Sequence, residues 1–183
     1  MAYCGKKISN PFTRQTIEFV VTSKDSGGAW LEMISTWDAH SSKPAPHSHP
    51  QQEEQFRVLE GEMHILLKNK TVVLTKGNSL TIKAGTVHAM WNASGAVAKV
   101  SWQVVPALNT EYFLETGFGL AMENKVSKNG LPGILQSVLL LRKYHKEFRL
   151  SKPSYTVQDI LTYILVPFAL LAGKKAVYKK YID

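Results

Sequence analysis

His47 and His49 stand two residues apart. In an extended strand, residues i and i+2 project from the same face, so both imidazoles can point at one metal ion. Glu53 and Glu54 follow closely enough for a carboxylate to join them, and His88 falls on a later segment able to close the set from across a barrel. Three imidazoles and one carboxylate form a mixed N/O donor set. Such a set suits iron, manganese, zinc or nickel, as well as copper or cobalt, and leaves coordination positions for water or substrate. The single cysteine, Cys4, excludes thiolate-rich zinc sites and an internal disulfide framework. It has no identifiable base beside it, so nucleophilic catalysis is not indicated. His40, His64 and His145 read as surface or strand histidines outside the set.

Positioning these residues falls to elements of two textures. Up to Pro106, short apolar segments alternate with turn residues. Strands are expected over 16–22, 29–37, 55–59, 63–67, 71–75, 80–83, 88–92 and 97–105, with Asn69-Lys70 as a hairpin tip. Many short strands at near-regular spacing indicate a β-sandwich or small barrel. Beyond Pro106 the apolar period changes to about 3.6. One helix is expected from Asn109 or Thr110 to Glu123, a second from Leu131-Pro132, and a third from Ser154 or Thr156 to Gly173. The expected organisation is therefore a barrel over 1–106 and a helical extension over 107–183, packed on the barrel or at a dimer interface.

Of the 183 residues, 22 are Lys or Arg and 14 Asp or Glu, a formal charge of +8. The surplus is 3 up to Pro106 (11 basic, 8 acidic) and 5 beyond it (11 basic, 6 acidic). It is spread out, forms no basic stripe on any helix, and reads as a solvated surface rather than a nucleic-acid footprint. The apolar run 160–172 is shorter than the roughly 20 residues a spanning helix needs. The reading is thus no transmembrane segment and at most peripheral membrane contact by the tail. No apolar run follows Lys6 and Lys7, which favours a cytoplasmic location.

The stretch from His47 to Gly61 resembles the first motif of the cupin superfamily: H-x-H, three or four residues, E, six residues, G. Glu54 satisfies both spacings and Glu53 does not, so the resemblance selects Glu54 as the acid and turns Glu53 outward. The stretch from Gly77 to Asn92 is similar to the second motif, G, five residues, P-x-G, two residues, H, three residues, N. Its one departure is Lys83, where proline is usual; this bears on a turn and not on the ligands. The fifteen residues between Gly61 and Gly77 suit the spacer of compact single-domain cupins. The resemblance covers about residues 30–106. It implies a mainly β fold, a double-stranded β-helix or jelly-roll barrel, with one divalent metal held by His47, His49, Glu54 and His88. It also implies dioxygenase, isomerase, cyclase or lyase chemistry, in which Glu54 can accept a proton.

Alternation then predicts the pocket wall. Phe56 and Val58 share the face of Glu54, and Met90 and Asn92 that of His88. Trp37, Trp102 and Gln103 are further candidates. These positions bring no cluster of Arg or Lys to hold a phosphate, which favours a small organic, even aromatic, ligand. The rival reading is a metal-containing binding module whose tail mediates dimerisation or docking.

Overall fold

A computed structural model describes residues 1–127 and 130–182. In chain order the strands are β1 (Lys7–Asn10), β2 (Gln15–Val21), β3 (Leu31–Trp37), β4 (His47–Ser48), β5 (Glu53–Glu60), β6 (Glu62–Leu67), β7 (Lys70–Thr75), β8 (Ser79–Ile82), β9 (His88–Trp91) and β10 (Ala98–Val105). Helices α1 (Thr110–Met122) and α2 (Ile134–Lys143) follow, then β11 (Arg149–Leu150), α3 (Tyr155–Leu171) and α4 (Lys179–Ile182).

Two antiparallel sheets result, ordered β1-β2-β3-β10-β5-β8 and β11-β4-β9-β6-β7. Period-two alternation decides which residues go inside. On β3, Leu31, Met33, Ser35 and Trp37 are buried; on β5, Glu54, Phe56 and Val58 are buried while Gln55 and Arg57 are exposed. Inner-face side chains from both sheets meet in one core: Trp37, Phe56, Val58 and Val100 from the first, Met63, Ile65, Leu74 and Met90 from the second. Two facing antiparallel sheets around one core form the barrel that the sequence resemblance implies. At the other end of the six-stranded sheet, Ile17, Phe19, Leu31, Met33 and Val104 are covered by Leu114 and Phe118 of α1.

Gly61 makes the β5–β6 turn possible for two reasons. Its φ is +69°, and a Cβ there would meet the Val97 carbonyl oxygen at 2.4 Å. The tip between β6 and β7 is Lys68-Asn69, one residue earlier than the sequence suggests. Both residues have positive φ (46° and 69°), as a two-residue hairpin turn of primed type requires. The Lys83 departure leaves its turn intact: Thr86 N–H donates to Lys83 O at 3.1 Å, and Gly85 N–H donates to His49 O at 2.9 Å.

Of the helices, α1 packs on the six-stranded sheet, whereas α3 does not reach the barrel core. The third helix packs on the second, with Val166 and Ala169 against Val138 and Leu139. Its other side is open, with Tyr163 79% and Leu171 86% exposed. No described helix is long and apolar enough to cross a membrane. Between these helices the chain returns to the barrel. Strand β11 adds to the edge of the second sheet, pairing Leu150 with His47 and Arg149 with Ser48. Strands β4 and β11 escape the sequence reading because each has only two residues, too few for a period to register, and β1 because Ile8 is its one apolar residue.

Candidate metal centre

His47 ends on β4 directly opposite His88 on β9, as Cα partners of an antiparallel pair. His49 follows one residue after β4, and the turn at Gly85 is bonded to its carbonyl. Pleating and pairing thus bring three imidazoles from separated sequence positions to one point. A ligand nitrogen from each lies within 4.8 Å of the others.

Each ring is oriented by its far nitrogen. Nδ1 of His47 donates to Ala45 O (2.9 Å), Nδ1 of His49 to Glu147 O (2.6 Å) and Nδ1 of His88 to Thr86 O (3.0 Å). A carbonyl only accepts, so Nδ1 carries the proton and Nε2 of a neutral ring is left with its lone pair. This is the second-layer arrangement that metal-binding imidazoles use. Glu54 approaches from β5 on the opposite sheet. Its Oε1 accepts from Trp102 Nε1 (3.0 Å) and lies 3.2 Å from His49 Nε2; its Oε2 lies 2.9 Å from His88 Nε2. Buried His49 Nε2 has no hydrogen-bond partner. Converging lone pairs and a carboxylate, with His49, His88 and Glu54 buried and His47 partly so, call for a cation between them. The chemistry of the donor set therefore fits a divalent metal.

The protonation balance has identifiable causes. Burial, and then the neighbouring imidazoles, push His47 down to about 3. Burial also lowers His49. Burial works to raise Glu54, but His49 and His88 outweigh it and hold the carboxyl at about 2. Burial opposes the charge on His88, yet the hydrogen bond and charge of Glu54 prevail and raise it. His47 and Glu54 are depressed in the folded state, so their stabilisation is complete above their unfolded values and is lost as pH falls through the folded ones. His88 acts in the opposite sense, contributing below about 6.5 and losing that contribution as pH rises through its folded value. Metal-stripped protein should accordingly melt at progressively lower temperature from about pH 6 toward pH 3. A melting temperature flat across that interval would contradict this balance.

The cluster forms the floor of a cavity of about 180 Å³. Trp37, Phe56, Met90 and Trp102 line it, and no Lys or Arg is among its described lining residues. The other three expected wall residues lie elsewhere. Val58 shares the face of Glu54, but it is sealed in the core with Met63, Ile65 and Val100. Asn92 clamps the loop after β9, donating through Nδ2 to Asp38 O (3.1 Å) and Ala96 O (2.7 Å) and accepting from Ser94 N–H (2.9 Å). Gln103 is turned by alternation away from Trp102 and lines an outer groove with Glu32 and Arg57. Glu53 points away from the site and its Oε1 accepts from Gln55 Nε2.

Sequence reasoning passed over Phe113, Glu147 and Phe148. Phe148 stacks on His47 with centroids 4.9 Å apart, and Phe113 lies 5.0 Å from Phe148. The carbonyl of Glu147 holds His49, while its Oε1 accepts from both N–H and Nδ2 of Asn109 (3.1 and 2.9 Å). These residues stand in the helical half, and no motif spacing flags them.

Fold and site together define a class: a two-sheet β-barrel with a histidine-carboxylate centre at its mouth. Residues 33–104 match the Cupin_2 family, Cupin domain. The barrel is therefore a cupin domain, and C-terminal helices follow it. Among curated proteins it is similar to an oxidoreductase of Arthrobotrys oligospora, 25% identical over 146 residues, which covers 69% of this chain and 57% of the relative. That share exceeds the barrel, so the similarity reaches into the helical residues. A 43-residue stretch is 54% identical to the uncharacterized protein YdbB of Bacillus subtilis, covering 23% of this chain and 38% of that one. The chain thus spans little more than half the length of the first relative and less of the second. The structure of KdgF from Halomonas sp. shares the fold, with a TM-score of 0.50 and 13% identity over 58% of this chain and 91% of that one.

Proposed function

We propose that this cupin binds one divalent metal through His47, His49, His88 and Glu54 and acts on a small organic substrate beside it. The observation that carries the reading is the set of three Nε2 lone pairs, each fixed by an Nδ1–H bond to a carbonyl and aimed into an apolar cavity. When bound, the metal supplies Lewis acidity and open positions for an oxygen donor. Glu54 either completes the ligand set or accepts a proton, and Trp102 Nε1 keeps its carboxylate aimed at the imidazoles in both roles. Trp37, Phe56 and Met90 exclude water and favour an aromatic or aliphatic substrate. Among dioxygenase-, cyclase- and isomerase-type reactions, the oxidoreductase relative favours an oxidative one.

Protein purified without chelators should carry close to one divalent metal per chain by elemental analysis; occupancy below about a tenth after metal addition would remove this reading.

One observation favours the alternative, a non-catalytic ligand-binding module. The acidic residues lining the cavity are Glu54 and Glu147, and both are engaged, by Trp102 and by Asn109 respectively. Turnover is the discriminating measurement: a metal-loaded protein that binds a small organic molecule and returns it unchanged is a binding module.

The chain also pairs with a second copy in this proposal, through the open side of α3. Tyr163, Ile164, Phe168 and Leu171 are all more than half exposed there, and exposed apolar residues grouped on one face mark an interaction surface. Light scattering should report a dimer, and Tyr163→Glu with Phe168→Glu a monomer. A monomeric parent protein would contradict the pairing.

A further inference from the structure

A second cavity, of about 230 Å³, lies between the barrel mouth and helices α1 and α2. It shares Pro44, Phe113, Leu114 and Phe148 with the metal cavity. The Phe113 and Phe148 rings, 5.0 Å apart, form the partition between the two. Phe118, Leu131, Leu140 and Leu141 close the far side. Among the described residues its polar side chains are two. Asn10 Oδ1 accepts from the N–H groups of Phe12 and Thr13, and Ser137 Oγ donates to Pro132 O. A chamber so largely apolar holds little ordered water and suits apolar matter.

Resting on the metal-site reading above, we infer that the ligand is an elongated amphiphile. Its oxygen-bearing head sits at the imidazole cluster, and its apolar body passes Phe113 and Phe148 into the second chamber. Two features set this class apart. Lys and Arg are missing from the described lining of both cavities, so no described cation there pairs with a second anionic group. The two cavities abut at four shared wall residues, so displacement of the Phe113–Phe148 partition joins them and gives the body a direction, from the barrel mouth outward under the helices. The helical residues then act as the specificity element, since α2 supplies Ser137, Leu140 and Leu141 to the outer chamber and none of the wall around the imidazoles.

Gly117 offers the test. It faces the outer chamber from α1, and a Cβ there meets no atom within 4 Å. Gly117→Leu therefore fills the chamber, and leucine also suits a helix better than glycine does. Leu141→Trp narrows the same space from α2 and serves if the first variant folds poorly. The probes are straight-chain carboxylates of about four to ten carbons, titrated by calorimetry into zinc-loaded and metal-stripped protein. The parent protein should gain about fourfold in affinity per added methylene along the longer part of the series. Gly117→Leu should leave the shortest acid unaffected and weaken the longest by at least about tenfold. A metal-loaded protein whose affinity ignores chain length, or a filled chamber that leaves the longest acid untouched, overturns the inference. Length-dependent, Gly117-sensitive binding in a protein that takes up no metal supports the chamber and overturns only the metal reading beneath it.

Discussion

His88→Ala should release the metal while leaving the barrel folded. Outer partners of a metal ligand are typically worth about 10–100-fold in affinity, so loss of a ligand itself should exceed that range. The variant removes one of the three converging Nε2 atoms and leaves Glu54 Oε2 without its 2.9 Å neighbour. Fold retention follows from the sheet. Strand β9 is held on one side by β6 from His64 to Leu67 and on the other by β4, and those bonds are backbone bonds that alanine keeps. The space left behind opens into the existing cavity and is not sealed, so the penalty of a sealed void does not apply in full. His64→Ala is the matched control, because His64 stacks near Trp91 outside the cluster. Competition against a chromophoric chelator gives affinity, and far-ultraviolet circular dichroism reports the fold. Unchanged affinity in His88→Ala would exclude it as a ligand; an unfolded variant would mean that the centre is structural.

The imidazole cluster was legible because two signals coincide there. The spacing of His47 and His49 survives as shared direction on an extended backbone, and turn glycines such as Gly61 leave marks only glycine can satisfy. Helices α1, α2 and α3 were equally visible, since each has ten residues or more of a 3.6 period, whereas α4, one turn long, was not read. What the sequence concealed was closure. Val58 and Phe56 share a face, but whether that face borders a cavity or a sealed core depends on how the second sheet lies over it. Asn92 looked like a wall residue because it shares parity with His88, yet a buried amide surrounded by carbonyls becomes a loop clamp. The greatest omission concerns Glu147 and Phe148. Their role depends on β11, a two-residue strand without a readable period, and on a backbone carbonyl, which any residue type supplies.

That omission changes what deletion of the helical half should do. From the sequence, cutting the chain after Asn109 threatens solubility by uncovering apolar surface. The geometry adds a loss of metal binding with a separate cause. Residues 147–150 reach the centre at three points: the Glu147 carbonyl on His49 Nδ1, the Phe148 ring on His47, and the β11 pairing alongside His47 and Ser48. Tyr155 adds a fourth tie, its hydroxyl 2.5 Å from Ser48 Oγ. Full-length point variants separate this from solubility. Glu147→Ala keeps the carbonyl but removes the carboxylate that accepts from Asn109, which frees the segment to drift from His49. Phe148→Ala removes the ring that fixes the tilt of His47. Each should cost about tenfold or more in metal affinity, with the protein still soluble and its circular dichroism preserved. Combined, they should fall short of the sum of their separate effects, because both act through one short segment. Truncation after Lys143 should abolish tight binding altogether. A truncated, soluble barrel that retained the metal affinity of the full chain would show that His47 and His49 are held by the sheet alone, and would reduce the helices to a cover for the outer chamber.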